Sequence, residues 1–227
     1  ERGRRDVRMP RRRRPVRPGV AHLRGDDRPG VGVTAGEYIL AVNGIDLDQA
    51  KDPYASFDGL AGKTVALTIS KTGTKSDGRT VVVTCLNTDD DAGLRYLEWI
   101  ENNRKMVEKL SGGELGYIYM SNTGGQGQME LVRMFYGQLS KKGFIIDERF
   151  NGGGQLSDRF LELLNRPIVY NLFWRHGRPT PAPTKANPGP KGMLINGWAG
   201  SGGDALPWAF REQNGGPIVG ERTLGIL

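Results

Sequence analysis

Between Leu115 and Gly220 the chain alternates short apolar runs with segments of helical periodicity, and no other feature narrows the fold as much. The order is Leu115 to Met120, Gln126 to Ser140, Phe144 to Asp147, Leu156 to Leu164, Met193 to Asn196, Asp204 to Gln213 and Ile218 to Gly220. Val132, Phe135 and Leu139 share one helix face, as do Leu156, Phe160 and Leu163. Alternation of this kind predicts an α/β fold with a mainly parallel sheet covered by helices. In such sheets sites gather beyond the carboxyl ends of the strands, where loops feed helix N-termini.

Two glycine-rich loops occupy that position. The first, Asp147-Glu148-Arg149-Phe150-Asn151-Gly152-Gly153-Gly154, leaves backbone N–H groups uncovered at a helix start, which suits an anion or an oxyanion. It lacks the Gly-Lys-Ser/Thr ending of a phosphate loop and the spacing of a dinucleotide fingerprint. The second runs from Asn196 through Gly200-Ser201-Gly202-Gly203 to Asp204. A serine on a tight strand-to-helix turn between residues without bulk exposes its hydroxyl, while the next N–H points at a developing oxyanion. Asp204 is the expected N-cap, with Pro207 in the first turn. By spacing alone this loop is equally a structural turn or a nucleophile turn.

Upstream, Asp89-Asp90-Asp91 begins an amphipathic helix carrying Leu94, Leu97, Ile100, Val107 and Leu110, stopped by Ser111-Gly112-Gly113. Its stripe is expected to pack into a core. Before it, Tyr38 to Val42 reads as a strand entering an Asn43-Gly44 turn, and Thr64 to Ser70 as an alternating strand. Thr80 to Cys85 reads as a strand buried on both faces, and Asp52 to Leu60 as a short helix.

The net charge of +7 is local. Nine arginines against Glu1 and Asp6 fall in residues 1–19, and the rest of the chain is balanced. With Pro10, Pro15 and Pro18 among its arginines, residues 1–28 read as a disordered tail, and nucleic acid is not an expected partner of the folded body. One cysteine, Cys85, and two histidines, His22 and His176, exclude a disulfide scaffold and a zinc cluster, and no cofactor or metal is expected. No apolar run is long enough to span a membrane.

Pro29-Gly30-Val31, the run Gly36 to Gly44 and the run Gly59 to Val65 resemble the PDZ module of bacterial and archaeal proteases. Ser111 to Tyr119, Ile145 to Gly154, and Asn196 to Asp204 followed by Gly220-Glu221-Arg222-Thr223 resemble the C-terminal part of the tricorn-type serine peptidases, relatives of the C-terminal processing proteases. The resemblance implies a PDZ-like and incomplete module over 29–88, a connecting helix over 89–113 and an incomplete peptidase core over 114–227. It implies Ser201 as nucleophile, and an oxyanion hole from the N–H groups of Gly202 and Gly154. It further implies peptide substrates, self-assembly of a longer parent and a cytoplasmic location.

The family's histidine precedes the PDZ module and its late glutamate would follow Leu227. The isolated chain is therefore expected to be inactive or nearly so, since a serine hydroxyl needs a base. No acid lies between Asn165 and Thr184 to favour a basic substrate residue, and Phe173 and Trp174 are expected to line an apolar pocket or pack on the sheet. Peptide binding by the PDZ-like sheet edge without catalysis is the alternative reading.

Overall fold

The computed structural model describes residues 32–33, 36–48, 50–155 and 157–227. The expected tail, and His22 with it, lie outside the described residues. The chain divides into two compact units, and the boundary falls inside a long helix between Glu98 and Trp99.

The first unit holds a four-stranded antiparallel sheet in the order β2-β1-β3-β4, built from β1 (Tyr38–Val42), β2 (Ile45–Asp46), β3 (Thr64–Ser70) and β4 (Arg79–Thr84). Asn43 and Gly44, at φ 50° and 80°, make the two-residue turn between β1 and β2, because both central positions of that turn need positive φ. Alternate residues Val65, Leu67, Ile69, Val81, Val83 and Cys85 form one apolar core with Val42. The helix expected over 52–60 is a short 3₁₀ turn, Pro53–Phe57.

β4 is not buried on both faces: Val82 is 58% exposed, because only one face of this sheet is packed into the core, and the alternate residues of interior strand β3 are likewise not buried. Glu37, buried, receives a two-pronged bond from Arg79 at 2.9 and 2.8 Å. Asp77 accepts from the Ser70 and Thr72 hydroxyls and from the amides of Lys71 and Thr72, which hold its carboxyl well below the usual range.

α1 (Thr88–Leu110) crosses from one unit into the other. The expectation of a core-packed stripe is met only in part: Leu94, Ile100 and Val107 are half-buried, no residue of α1 is fully buried, and Leu97 and Leu110 are 58% and 80% exposed. The core of the second unit is filled instead by side chains from helices further along the chain.

That second unit is a parallel sheet in the order β10-β9-β6-β5: β5 (Leu115–Tyr119), β6 (Gly143–Asp147), β9 (Lys191–Ile195) and β10 (Ile218–Gly220). Leu131 and Phe135 of α2 (Gly125–Gly137), Phe160 and Leu164 of α3 (Ser157–Leu164), and Leu206 and Phe210 of α4 (Gly202–Glu212) meet Ile118, Phe144, Ile146 and Met193 in one core. Alternation then sends Tyr117 and Tyr119 to the opposite face, where Trp99 of α1 stands edge-on to Tyr119 at 5.2 Å.

A two-stranded hairpin, β7 (Tyr170–Leu172) with β8 (Thr180–Ala182), lies between α3 and β9 in sequence. Phe173 and Trp174 do not pack on the sheet: they lie on the hairpin's turn, 79% and 62% exposed, with the Trp174 indole donating to the Thr180 hydroxyl.

Candidate active site

β6 and β9 are parallel neighbours, so the loops that leave their carboxyl ends emerge side by side, one entering α3 and the other α4. Polar contacts join the loops. The Gly200 amide donates to the Asn151 carbonyl (3.1 Å), and the Asn196 side-chain oxygen accepts from Phe150 N–H and Trp198 N–H (3.0 and 3.2 Å). Asn151 also turns its amide oxygen back to the Gly153 N–H (2.8 Å), closing the triple-glycine turn. A third segment lies alongside, with Thr123 N–H donating to the Gly153 carbonyl and Gly152 N–H to the Ser121 carbonyl, both at 2.9 Å.

Ser201 is the N-cap of α4, which begins two residues earlier than the expected cap at Asp204. Its φ of 57° and ψ of −118° form a conformation L-residues seldom adopt, of the kind that costs about 1–3 kcal/mol and persists where the surroundings enforce it. Asp204 sits at the third helical position and accepts the Ser201 N–H at 2.8 Å, while the Ser201 carbonyl accepts from Asp204 N–H and Ala205 N–H. Pro207 is not in the first turn but one turn further in, and it is buried.

The same Asp204 carboxylate accepts Gly225 N–H (2.7 Å) and Ile226 N–H (3.1 Å), and Leu224 N–H donates to Ala199, so the stretch 224–226 is laced onto the serine turn. Burial works to raise the Asp204 pKa, but hydrogen bonds from Gly225, Thr223, Ile226 and Ser201 outweigh it and hold the carboxyl below its ordinary value.

The structure brings together the three residues singled out from the sequence. Ser201 is half-buried, Gly202 buried and Gly154 exposed. A Cβ at Gly153 would lie 2.8 Å from the Ser201 Cβ, and one at Gly202 would lie 2.8 Å from the Gly154 nitrogen and collide with the Thr123 hydroxyl. The two glycine loops therefore meet backbone to backbone, at a separation that a side chain would abolish. The amide end of α4 adds its positive dipole there.

His176, the one histidine among the described residues, is exposed on the β7–β8 turn. No group of three or more metal-ligating side chains occurs among the described residues.

Sequence reasoning passed over Glu148 and Thr123. Glu148 is fully buried at the carboxyl end of β6, and burial, followed by the charges of Asp204 and Asp147, pushes its pKa up to about 9. Its neighbour Asp147 is spent on a salt bridge with Arg149 (2.8 and 2.6 Å) and on the Tyr117 hydroxyl, which donates at 2.7 Å. The Arg149 guanidinium lies 5.0 Å over the Trp99 ring. Two acids side by side at a strand end were the available signal, since successive positions of a strand point to opposite faces and both of these are buried. Beside the loops, an open groove of about 640 Å³ runs between α3 and α4. Ser157 and Ala205 stand at its near end and Leu161 and Trp208 on its walls, and an Asn165–Gln213 hydrogen bond closes the far end.

The family model described as Peptidase family S41 matches residues 114–226, and that described as Tricorn protease PDZ domain matches 26–88. Tricorn protease homolog 1 of Streptomyces coelicolor is 36% identical over 197 residues, covering 87% of this chain and 18% of its own length. Tricorn protease of Thermoplasma acidophilum is 34% identical over 191 residues, covering 84% of this chain and 17% of its own length. The crystal structure of the tricorn protease superposes with a TM-score of 0.75 at 32% identity, over 86% of this chain and 19% of that one. The chain thus spans about a fifth of the length of these relatives. By both matched segments and by the superposition, the chain belongs to peptidase family S41, in its tricorn branch.

Proposed function

We propose that this chain carries the nucleophile and the anion-stabilising half of a serine endopeptidase that cleaves oligopeptides through an acyl-enzyme. The carrying observation is the enforced backbone of Ser201 at the head of α4, against the Gly152–Gly154 turn. Ser201 Oγ attacks the peptide carbonyl, and the N–H groups of Gly202 and Gly154 receive the oxyanion. Both are backbone donors, so glycine at 202 costs the hole nothing and allows the loops to close together. The α3–α4 groove, with its Leu161 and Trp208 walls, takes an apolar substrate side chain.

Proton transfer from Ser201 needs a base, and His176, exposed on its hairpin, is not read as that base. The 227-residue chain is expected to turn peptides over slowly or not at all. With solvent as the base, Ser201 is expected to react with an activated electrophile slowly, yet faster than the other serines of the chain, because the oxyanion donors still act. Incubation with a fluorophosphonate followed by peptide mapping tests the reading: label on Ser201, lost in Ser201→Ala, is expected. No label, or label undiminished in that variant, overturns it. A second reading, capture of a peptide by the first unit without chemistry, is favoured by the PDZ match at 26–88 and predicts peptide binding that Ser201→Ala leaves unchanged.

A further inference from the structure

Behind the two glycine loops lies a set of buried polar groups that no hydrogen bond satisfies: both carboxyl oxygens of Glu148 and the side-chain nitrogen of Asn151. Glu148 and Asn151 are each fully buried, the Asn151 N–H donates to the Glu148 carbonyl at 3.0 Å, and the Asn151 amide works to lower the Glu148 pKa against the larger effect of burial. Unsatisfied buried polar atoms are rare in folded proteins, and a facing pair of them at a site points to a function for both. Asn151 holds an unusual place. Its side-chain oxygen takes the Gly153 N–H and its carbonyl takes the Gly200 N–H, so one residue ties the turn containing Gly154 to the turn containing Ser201.

We propose that Glu148 is a positioning residue: its carboxyl stands behind Asn151, orients the Asn151 amide, and through Asn151 sets the register of the two glycine loops. The charged groups that act on it are Asp147, from its own strand end, and Asp204, from the first turn of α4. Arg149 is committed to Asp147 and to the Trp99 ring. A carboxylate there would be a further negative charge in a buried place beside two other carboxylates, so Glu148 keeps its proton through neutral pH. As the neutral acid its carbonyl oxygen accepts the Asn151 amide, leaving the Asn151 oxygen for Gly153. When the proton leaves, repulsion from Asp147 and Asp204 displaces the carboxylate, and Asn151 moves with it. The oxyanion donors then lose their alignment at alkaline pH while the core stays folded. This deepens the peptidase reading and, for its consequence in catalysis, rests on it.

The test follows backbone amides by nitrogen-15 NMR in the 227-residue chain labelled at glycine, from about pH 7 to about pH 10. In the wild type, the Gly153 and Gly200 resonances are expected to shift together with a single midpoint. Glu148→Gln, which mimics the neutral acid, is expected to show the wild-type pH 7 positions and no such midpoint. Glu148→Met, which gives Asn151 no partner, is expected to displace both resonances at every pH. Resonances indifferent to pH in the wild type, or a midpoint retained in Glu148→Gln, overturn the proposal. Fluorophosphonate labelling then reads the consequence: Glu148→Gln is expected within about twofold of wild type at pH 7, and Glu148→Met at least tenfold slower. Equal rates in all three overturn the link to the site. A wild-type chain that takes no label overturns the peptidase reading of Ser201 while the glycine resonances still decide the role of Glu148.

Discussion

At the residue scale the site is governed by what its atoms exclude. Gly202 has no room for a side chain, since a methyl group there would meet Thr123, the Gly154 carbonyl and the Gly154 nitrogen, all of which belong to packed backbone or buried side chain. Gly202→Ala is therefore expected to cost about 1–3 kcal/mol in urea denaturation and to slow fluorophosphonate labelling at least tenfold, because the loops must part to admit the methyl.

Glu148 has an opposite kind of signature, visible in pH. Its folded pKa of about 9 lies above the ordinary 4.5, so the folded state holds more protons between those values and stability falls as pH rises through that window. At pH 7 the accumulated loss is about 3 kcal/mol. Glu148→Gln is expected to flatten the slope of unfolding free energy against pH between about 5 and 8. A slope unchanged in that variant would place the titration elsewhere.

At the element scale, helices of similar appearance in sequence do different work. α1 carries an apolar stripe yet has no fully buried residue, whereas Leu131 and Phe135 of α2 are sealed against the parallel sheet. Phe135→Ala is expected to cost about 3–5 kcal/mol and Leu110→Gln less than about 0.5, measured by denaturant unfolding. Strand positions were the easiest elements to read: β3 spans Thr64–Ser70 as its alternation indicates, and β1 runs into the Asn43-Gly44 turn that its residues demand. The start of α4 was misread because Asp204 is a good cap by residue type. Its carboxylate does reach back to the serine amide, but from inside the first turn, and Ser201 takes the cap in a conformation no propensity scale favours. The β7–β8 hairpin escaped notice because three-residue strands broken by prolines leave no period to count.

At the scale of the whole molecule, two units keep separate cores: one of valine, leucine, isoleucine and cysteine on the antiparallel sheet, and one of aromatic, leucine and methionine side chains around the parallel sheet. Breaking the Glu37–Arg79 pair by Glu37→Gln leaves a buried donor poorly matched in the first unit. It is expected to lower that unit's protection in hydrogen exchange and to leave Ser201 labelling unchanged, and a loss of labelling would show that the two cores are coupled. Among the described residues no helix is long and apolar enough to cross a membrane.

The order of strands and helices after Leu115, the parallel character of the sheet and the two glycine-rich loops all lay in the amino-acid sequence, because periodicity and glycine spacing are local properties of a chain, whereas Ser201, Gly202 and Gly154 were singled out within those loops by the family resemblance. That the two loops touch, that Asn151 ties them, that Glu148 is sealed behind them among acids and that α1 leaves part of its stripe open were decided by tertiary structure alone. Each depends on which residues a neighbouring strand or helix brings within a few ångströms, and burial and charge act across those distances whatever the separation along the chain.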